Sequence, residues 1–559
     1  MRRYLLPILI GALALAFAVV LRVVDPWPIE TARLAVFDSY QRLKPRDDPP
    51  LPVRIVDIGD ASLERYGQWP WPRTVLSNLV EKLIDNGAAA IAFAMIFPEP
   101  DRTSPARAIE IWPETPELDA LVDSIAQLPD HDDVFAETLS NGIVVLGFSA
   151  SASEGRTDPD FSGGMAYAGS DPRPFLPHLR GGLTSLPVID EAAWGRGSLV
   201  LSRDIDGTVR RAPLLLVLNE EILPSLSVEA LRAAQQASTI VARSADASGS
   251  QSFGDAAGVT SLRVGDFVVP TTANGEMWLY FEPTEDDEAI EAWQVLDAPA
   301  PDPEISNLIA GHIVVIGTSA AGLLDIHATP LDPATPGVAI HAQAIEQMIS
   351  GTFLERPDWA AGAEVVLLVV IGLLLILIIP LVGVVAGAVL GALLAFGSIY
   401  GSWLAFDSAG LLLDPVYPSI AVLLIYVMVS FLSYMRTEKE RGQVRSAFSR
   451  YLSPQLVKRV AENPKQLRLG GESRELTLLF SDIRGFTSIS ETMSPEELTS
   501  FINSFLTPMT EIILEHDGTI DKYMGDAIMA FWNAPLDDAQ HAENACRAAL
   551  AMRDRLALL

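Results

Sequence analysis

The feature that limits this chain most is a set of long apolar runs free of charge. Val365 to Pro380 and Leu381 to Leu404 contain no Asp, Glu, Lys or Arg. Ile420 to Tyr434 repeats the pattern after a short loop, Phe406 to Pro418. Leu5 to Val24 is nearly all apolar, interrupted by Pro7 and Arg22 near its ends. About 20 apolar residues span a bilayer, whereas a secretory signal has a shorter apolar region and a small-residue cleavage site. The first run therefore reads as an uncleaved helix. Every peptide group inside a bilayer needs an internal hydrogen bond, so all of these runs must be helical. Pro380 is expected to separate two of them. The expected layout is one span over residues 1–24 and three more over 363–435.

Basic residues orient such spans. Arg2 and Arg3 precede the first run, and Arg436, Lys439, Arg441 and Arg445 follow the last. The loop Phe406 to Pro418 holds Asp407 and Asp414 and no basic residue. Both termini are then cytoplasmic, four spans satisfy that, and residues 25–359 lie outside. The formal charge of −32 repels phosphate backbones and excludes general nucleic-acid binding. The one cysteine, Cys546, excludes an internal disulfide and a cysteine zinc site, so the outer segment is held by its core alone.

Within 25–359, Val53 to Ile58, Ala89 to Phe97, Ile143 to Phe148 and Ile313 to Ile316 read as buried strands, with an amphipathic helix over Leu76 to Asn86. That order predicts an α/β layer fold with a central sheet. Asp206-Gly207 reads as a hairpin turn. His312, His327 and His341 are scattered and read as structural. The glycine-bounded run Gly317 to Gly322 after a strand suits either an anion cradle or a plain strand-to-helix turn, and it lacks the Lys of a phosphate loop. Trp69-Pro70-Trp71-Pro72 reads as a stiff run packed on the sheet. The phrases VDIGDASLERYGQWPWPR, IFPEPD, DIDGTVRRAPL and VVIGTSAAGLLD with PGVAIHAQAIEQMISG resemble the CHASE2 extracellular sensor domain, in that family's order. The resemblance implies a sensor for an unidentified extracytoplasmic ligand. One departure is Ala94, where the family tends to carry an acid.

Residues 436–471 read as a helical linker. Val444, Phe448, Tyr451 or Leu452, Leu456 and Val460 form an apolar stripe that suits packing on its own domain or pairing with a second copy. Pro454 marks a new helix start and Gly470-Gly471 a hinge. The linker is similar to the signalling helix that precedes many class III cyclase domains.

In 472–559, Leu476 to Phe480 reads as an apolar strand ending at Asp482. Ser494 to Glu497 is a helix start, and Leu498, Phe501, Ile502, Phe505 and Met509 are its apolar face. Gly518 to Tyr523 and Ala527 to Trp532 read as strands joined by Met524-Gly525-Asp526, with a last helix from Asp538. Asp482 and Asp526 thus stand at strand ends. Such a pair can bind divalent cations, or can simply cap turns. Backbone N–H groups from Ile483 to Thr487 can hold phosphate oxygens.

The phrases ELTLLFSDIRGFTSIS and HDGTIDKYMGDAIMAFW resemble the class III nucleotide cyclase domain. The resemblance implies an α+β, ferredoxin-like cyclase domain, metal binding by Asp482, Asp526 and the Ile483 carbonyl, and two Mg2+ or Mn2+ ions. It places Gly485, Phe486 and Thr487 in the phosphate loop and Lys522 at the base-reading position. Lysine there suits adenine, whose N1 is an acceptor; guanine presents an N1–H donor and favours glutamate. The implied function is an adenylate cyclase forming 3′,5′-cyclic AMP and pyrophosphate from ATP as a homodimer in a bacterial cytoplasmic membrane. A guanylate cyclase and a non-catalytic receptor are the alternatives. The family's domain is about twice as long as this stretch, and its second half supplies an Asn and an Arg. The expectation is therefore a fragment, inactive alone, of a multidomain membrane protein.

Overall fold

A computed structural model describes the chain except residues 1, 48–49, 112–121, 123, 126, 152–158, 160, 162, 249–257, 284–288, 321–324, 449–472 and 535–536. It forms two compact units, Met1–Val429 and Ser430–Leu559.

The first unit begins with helix α1, Arg2–Val24, and helix α2, Trp27–Leu43. The two are bent by 76° at the break between them. The sensor sheet follows. Strands β1 (Val53–Asp57), β2 (Ala90–Phe93), β3 (Val144–Ser151), β4 (Gly181–Leu183) and β5 (Gly195–Ser198) come before the hairpin β6 (Ser202–Arg203) and β7 (Val209–Pro213). Later come β8 (Val259–Val264), β9 (Phe267–Pro270), β10 (Glu276–Trp278), β11 (Ile290–Glu291) and β12 (Ile313–Gly317). The main sheet runs β11-β1-β12-β2-β3, all parallel; β3 also pairs β5 in parallel and β4 antiparallel.

Parallel strands are covered on both faces, which is why the central strands β12 and β2 are continuously apolar, while β1 carries Arg54 and Asp57. Alternate residues enter opposite cores. Val314 and Ile316 join a cluster with Leu76, Leu79 and Leu83 of helix α3, Arg73–Asp85. Ile313 and Val315 join the other cluster with Leu226 of helix α4, Leu226–Ala234, and Ile340 of helix α5, Gly337–Ser350. The expected α/β layers are therefore present. Ala89 to Phe97 yields a shorter strand than expected, since only Ala90–Phe93 pairs. Trp71 is buried in the α3 core, as expected.

The run from Gly317 does not serve as an anion cradle in its described part. The Ser319 hydroxyl donates to Asp57, a buried carboxylate whose burial raises its pKa. A carboxylate at that position repels an anion. Ala321 and Gly322 lie outside the described residues, and the next described element is the short strand Ile326–His327, not a helix. The histidines take hydrogen-bonded positions: His312 with the Ala310 carbonyl, His327 with Asp325, and His341 with Ser227 Oγ at 3.1 Å.

His341 is fully enclosed, and burial lowers its pKa to about 4. Its neutral form is thus favoured in the folded state, while an unfolded His takes a proton near 6.5. This stability is complete above about pH 6.5 and is lost as the pH falls toward 4, by about 3 kcal/mol in all. Denaturation midpoints of the detergent-solubilised protein should fall across that window. His341→Gln should flatten the profile; an unchanged slope would place the titration elsewhere.

Three helices follow: α6 (Trp359–Val382), α7 (Val384–Ala409) and α8 (Val416–Phe448), of which α8 is apolar over Val416–Leu432 and runs past Val429, where the first unit ends. Helices α6 and α7 are long and apolar enough to cross a membrane. At 24 residues, α6 is about 36 Å long, enough for a hydrocarbon layer of about 30 Å. Counting the bent α1–α2 pair as one span gives three; the apolar part of α8, Val416–Leu432, is shorter. The break falls at Gly383, not at Pro380, which lies inside α6. Gly383 takes φ 86°, a conformation costly for residues with a Cβ, and so turns the chain. At one end of these helices, Glu364 of α6 binds Arg22 of α1 at 2.7 Å and Arg356 at 2.9 Å. Arg33 of α2 binds Asp25 at 3.0 Å and Asp414 at 3.3 Å. Each buried charge there is paired, which the low dielectric demands.

The second unit holds β13 (Thr477–Ser481), helix α9 (Phe486–Ser490), helix α10 (Pro495–Glu515), β14 (Thr519–Met524), β15 (Ala527–Trp532) and helix α11 (His541–Leu556). The sheet is antiparallel in the order β13-β15-β14. Ser494 and Glu497 form the expected capping box. Helices α10 and α11 cover one face through Met509, Ile513, Ala548 and Met552 against Ile528, Ala530 and Trp532. Among the described residues the other face is open. Leu478 and Phe480 of the expected apolar strand are 52% and 62% exposed there, since no described helix covers that side. The helical linker is described only as the backbone of α8 up to Phe448; Leu456, Val460, Pro454 and Gly470-Gly471 lie outside the described residues.

Candidate active site

Strand pairing builds the site. Ser481 of β13 faces Ile528 of β15, so Asp482 emerges beside the turn that carries Asp526. Gly525 in that turn has φ 70°, which glycine adopts freely and which lets β14 reverse into β15 within two residues. The Ile483 N–H donates to Asp482 Oδ1 at 3.0 Å and to Asp526 Oδ2 at 3.1 Å. One backbone donor thus ties both carboxylates, far apart in sequence, to one point.

The pair interacts strongly. The Asp482 pKa is raised, first by its hydrogen bond with Asp526, then by desolvation and by repulsion from Asp526. Two like charges this close favour a shared proton or a cation. The Ile483 carbonyl accepts from the Phe486 N–H at 3.2 Å and keeps a second lone pair. Two carboxylates and a carbonyl form an all-oxygen set, which suits Mg2+ or Mn2+. Among the described residues no group of three or more His, Cys, Asp or Glu side chains gathers around a metal position. The carboxylate pair with the Ile483 carbonyl has the donor chemistry such an ion takes.

Gly485 takes φ 78° and caps α9, so Phe486 and Thr487 open that short helix. Two loop N–H groups expected to face phosphate are used within the protein: that of Ile483 by the aspartates and that of Phe486 by the Ile483 carbonyl. Lys522 is not drawn into the carboxylate cluster. Its ammonium lies 3.5 Å from Asp521 and is largely exposed. The register sets Lys522 beside Met529 and Met529 beside Phe480, so these three form a row across the sheet. Phe480 and Met529 were not singled out from sequence; their signal, an apolar residue two positions before Asp482 and three after Asp526, resembles core. Ser481 Oγ is buried without a hydrogen-bond partner among the described residues, beside Asp482.

The CHASE2 domain family matches residues 12–379, and the adenylate and guanylate cyclase catalytic domain family matches residues 471–557. The chain belongs to the CHASE2 family and carries a cyclase catalytic domain at its carboxyl end. Adenylate cyclase 1 of Rhizobium meliloti (strain 1021) is 41% identical over 112 residues, 20% of this chain and 16% of that protein. An adenylate cyclase of Anabaena cylindrica is 42% identical over 99 residues, 17% of this chain and 20% of that protein. The chain therefore spans at most a fifth of the length of these two curated relatives. The crystal structure of the adenylyl cyclase CyaB from P. aeruginosa is 41% identical over 15% of this chain and 43% of that one, with a TM-score of 0.15.

Proposed function

We propose that the whole protein is a membrane-bound adenylate cyclase that turns ATP into 3′,5′-cyclic AMP and pyrophosphate under the control of its CHASE2 domain. The observation that carries this reading is the Ile483 N–H shared by Asp482 and Asp526. Those carboxylates and the Ile483 carbonyl would hold two divalent cations, Mg2+ or Mn2+. Bound there, such ions lower the pKa of a ribose hydroxyl and neutralise a triphosphate. Asp482 and Asp526 fix where the triphosphate comes to rest. Lys522 offers a donor to adenine N1, with Phe480 and Met529 giving the base an apolar floor. Gly485, Phe486 and Thr487 border the phosphates. The open sheet face suits a second copy, so the active form is a homodimer. Four helical spans carry the chain through a bacterial cytoplasmic membrane, with residues 25–359 outside.

The test is product analysis with the whole protein, ATP or GTP, and Mg2+ or Mn2+. Cyclic AMP from ATP is expected. Cyclic GMP alone would make it a guanylate cyclase, and no product from either would leave a receptor with a degenerate domain. Lys522→Glu should move the ATP-to-GTP preference toward GTP by about tenfold to a hundredfold, the worth of one charged hydrogen bond. An unchanged ratio would remove Lys522 from base recognition.

A further inference from the structure

Strand β14 breaks its regular pairing beside the open face of the second unit. Ile520 stands opposite Ala530 and Lys522 opposite Met529, so two steps along β14 match one step along β15. Asp521 is the extra residue of this bulge.

Two contacts on the covered face fix the count. Ile520 is buried with Ala530 in the core beneath α10 and α11. Tyr523 turns to the same side: its hydroxyl lies 2.9 Å from Thr510 Oγ1 of α10. In a regular strand, residues at positions i and i+3 point to opposite faces. The bulge absorbs Asp521, so Ile520 and Tyr523 both face the helices and Lys522 is turned outward beside Met529 and Phe480. A regular ladder through the same sequence would aim Lys522 at the apolar core under α10, where an unpaired ammonium is costly.

The bulge has a second consequence. Consecutive side chains of a regular strand point to opposite faces and do not meet. Here the Asp521 carboxylate lies 3.5 Å from the Lys522 ammonium. An ammonium has three N–H donors, so one carboxylate leaves others for a ligand. A lysine side chain is rich in rotamers, and fixing them on binding costs entropy. A carboxylate that already restrains the ammonium removes part of that cost. The pair is partly open to solvent, 38% for Asp521 and 59% for Lys522, which keeps its effect modest.

We propose that Asp521 is a positioning residue for recognition of the purine base. Its bulge lets its carboxylate stand on the lysine's side of the strand, and that carboxylate holds the Lys522 ammonium where the base arrives. Asp521 acts through Lys522 rather than on the nucleotide itself. This role rests on the function proposed above, in which Lys522 donates to the base.

The test is equilibrium binding to the whole protein, with Mg2+ or Mn2+, of an ATP analogue bridged by a methylene between its α and β phosphorus atoms. Inorganic tripolyphosphate is the base-free comparison. Asp521→Asn should weaken the analogue about threefold to fivefold, the scale of a partly exposed ion pair, and leave tripolyphosphate unchanged. Deletion of Asp521 restores a regular ladder with Lys522 still opposite Met529, so it removes the carboxylate without turning the lysine inward and should cost the same factor. In a Lys522→Met background, Asp521→Asn should change nothing further. Unchanged analogue affinity in Asp521→Asn, an equal loss for tripolyphosphate, or the same loss in the Lys522→Met background each overturns the proposal. So does failure of the unaltered protein to bind the analogue. Product analysis keeps the two readings apart. A protein that forms cyclic AMP while giving one of those results keeps its cyclase function and loses this role for Asp521. A protein that binds the analogue in the Asp521-dependent way but forms no cyclic nucleotide keeps the role and loses the activity.

Discussion

Asp526→Asn in the whole protein is expected to lower cyclic-nucleotide formation by about a thousandfold, and Asp482→Asn by a similar factor. Both carboxylates converge on one N–H, so in the proposed function each supplies part of the donor set that would hold the two cations. Removing either charge disables the unit, because stabilisation of a developing negative charge in such sites is worth about a hundredfold to a thousandfold per donor and more for a metal. The double variant should lose little beyond the single ones, as residues acting together are not additive. Asn keeps a carbonyl oxygen able to accept from the Ile483 N–H, so the turn survives and the loss is chemical. Titration with Mn2+ gives an independent readout: affinity should collapse in both variants while the melting temperature stays unchanged. Retention of more than about a tenth of the activity in Asp526→Asn would end the two-carboxylate reading.

How far the sequence revealed this molecule depended on whether the signal was local. Ile313–Gly317 was legible because a strand buried on both faces is apolar without interruption, and Val53–Asp57 and Val144–Ser151 because their buried parts are rich in Val, Ile and Leu. Helix α2 was missed. Its apolar positions Leu34, Phe37 and Tyr40 find their partners in Trp278, Tyr280 and Phe406, far along the chain, and its polar face dilutes the pattern. The break at Gly383 was placed at Pro380, since proline near the end of a long helix loses only one hydrogen bond while glycine alone permits φ 86°. Asp482 and Asp526 were named from their phrases, but their meeting depends on the Ser481–Ile528 register, which no local pattern encodes. The same register exposes Phe480. A strand with one bare face cannot be told from a buried one by composition when its outward residues are also apolar.

Arg210→Met should destabilise the first unit by about 3–5 kcal/mol, the usual result of stranding a buried charge. Arg210 is enclosed at 2% exposure, and it grips Asp38 of α2 with two bonds of 2.7 and 2.8 Å. It also reaches Asp204 at 2.9 Å and Asp206 at 2.6 Å. One guanidinium therefore clamps α2 to the β6–β7 hairpin. Its hydrogen bond to Asp206 holds that carboxyl down to about 2. That contribution is present above the ordinary carboxylate value of 3.8 and is lost as the pH falls toward 2, so the gap between unaltered and variant protein should narrow in acid. Methionine fills similar volume but leaves Asp38 as an uncompensated charge at 5% exposure. Adding Asp38→Asn to Arg210→Met should recover about 1–2 kcal/mol, because an amide is cheaper to bury than an unpaired carboxylate. Urea midpoints for the two single variants and the double one give the coupling directly. A loss below about 1 kcal/mol in Arg210→Met would mean that water already screens these charges, as it does for surface pairs. In that case α2 would be held by the apolar contacts of Leu34, Phe37 and Tyr40 and by hydrogen bonds such as those of Gln41 with the Phe281 N–H and of Arg42 with the Pro330 carbonyl.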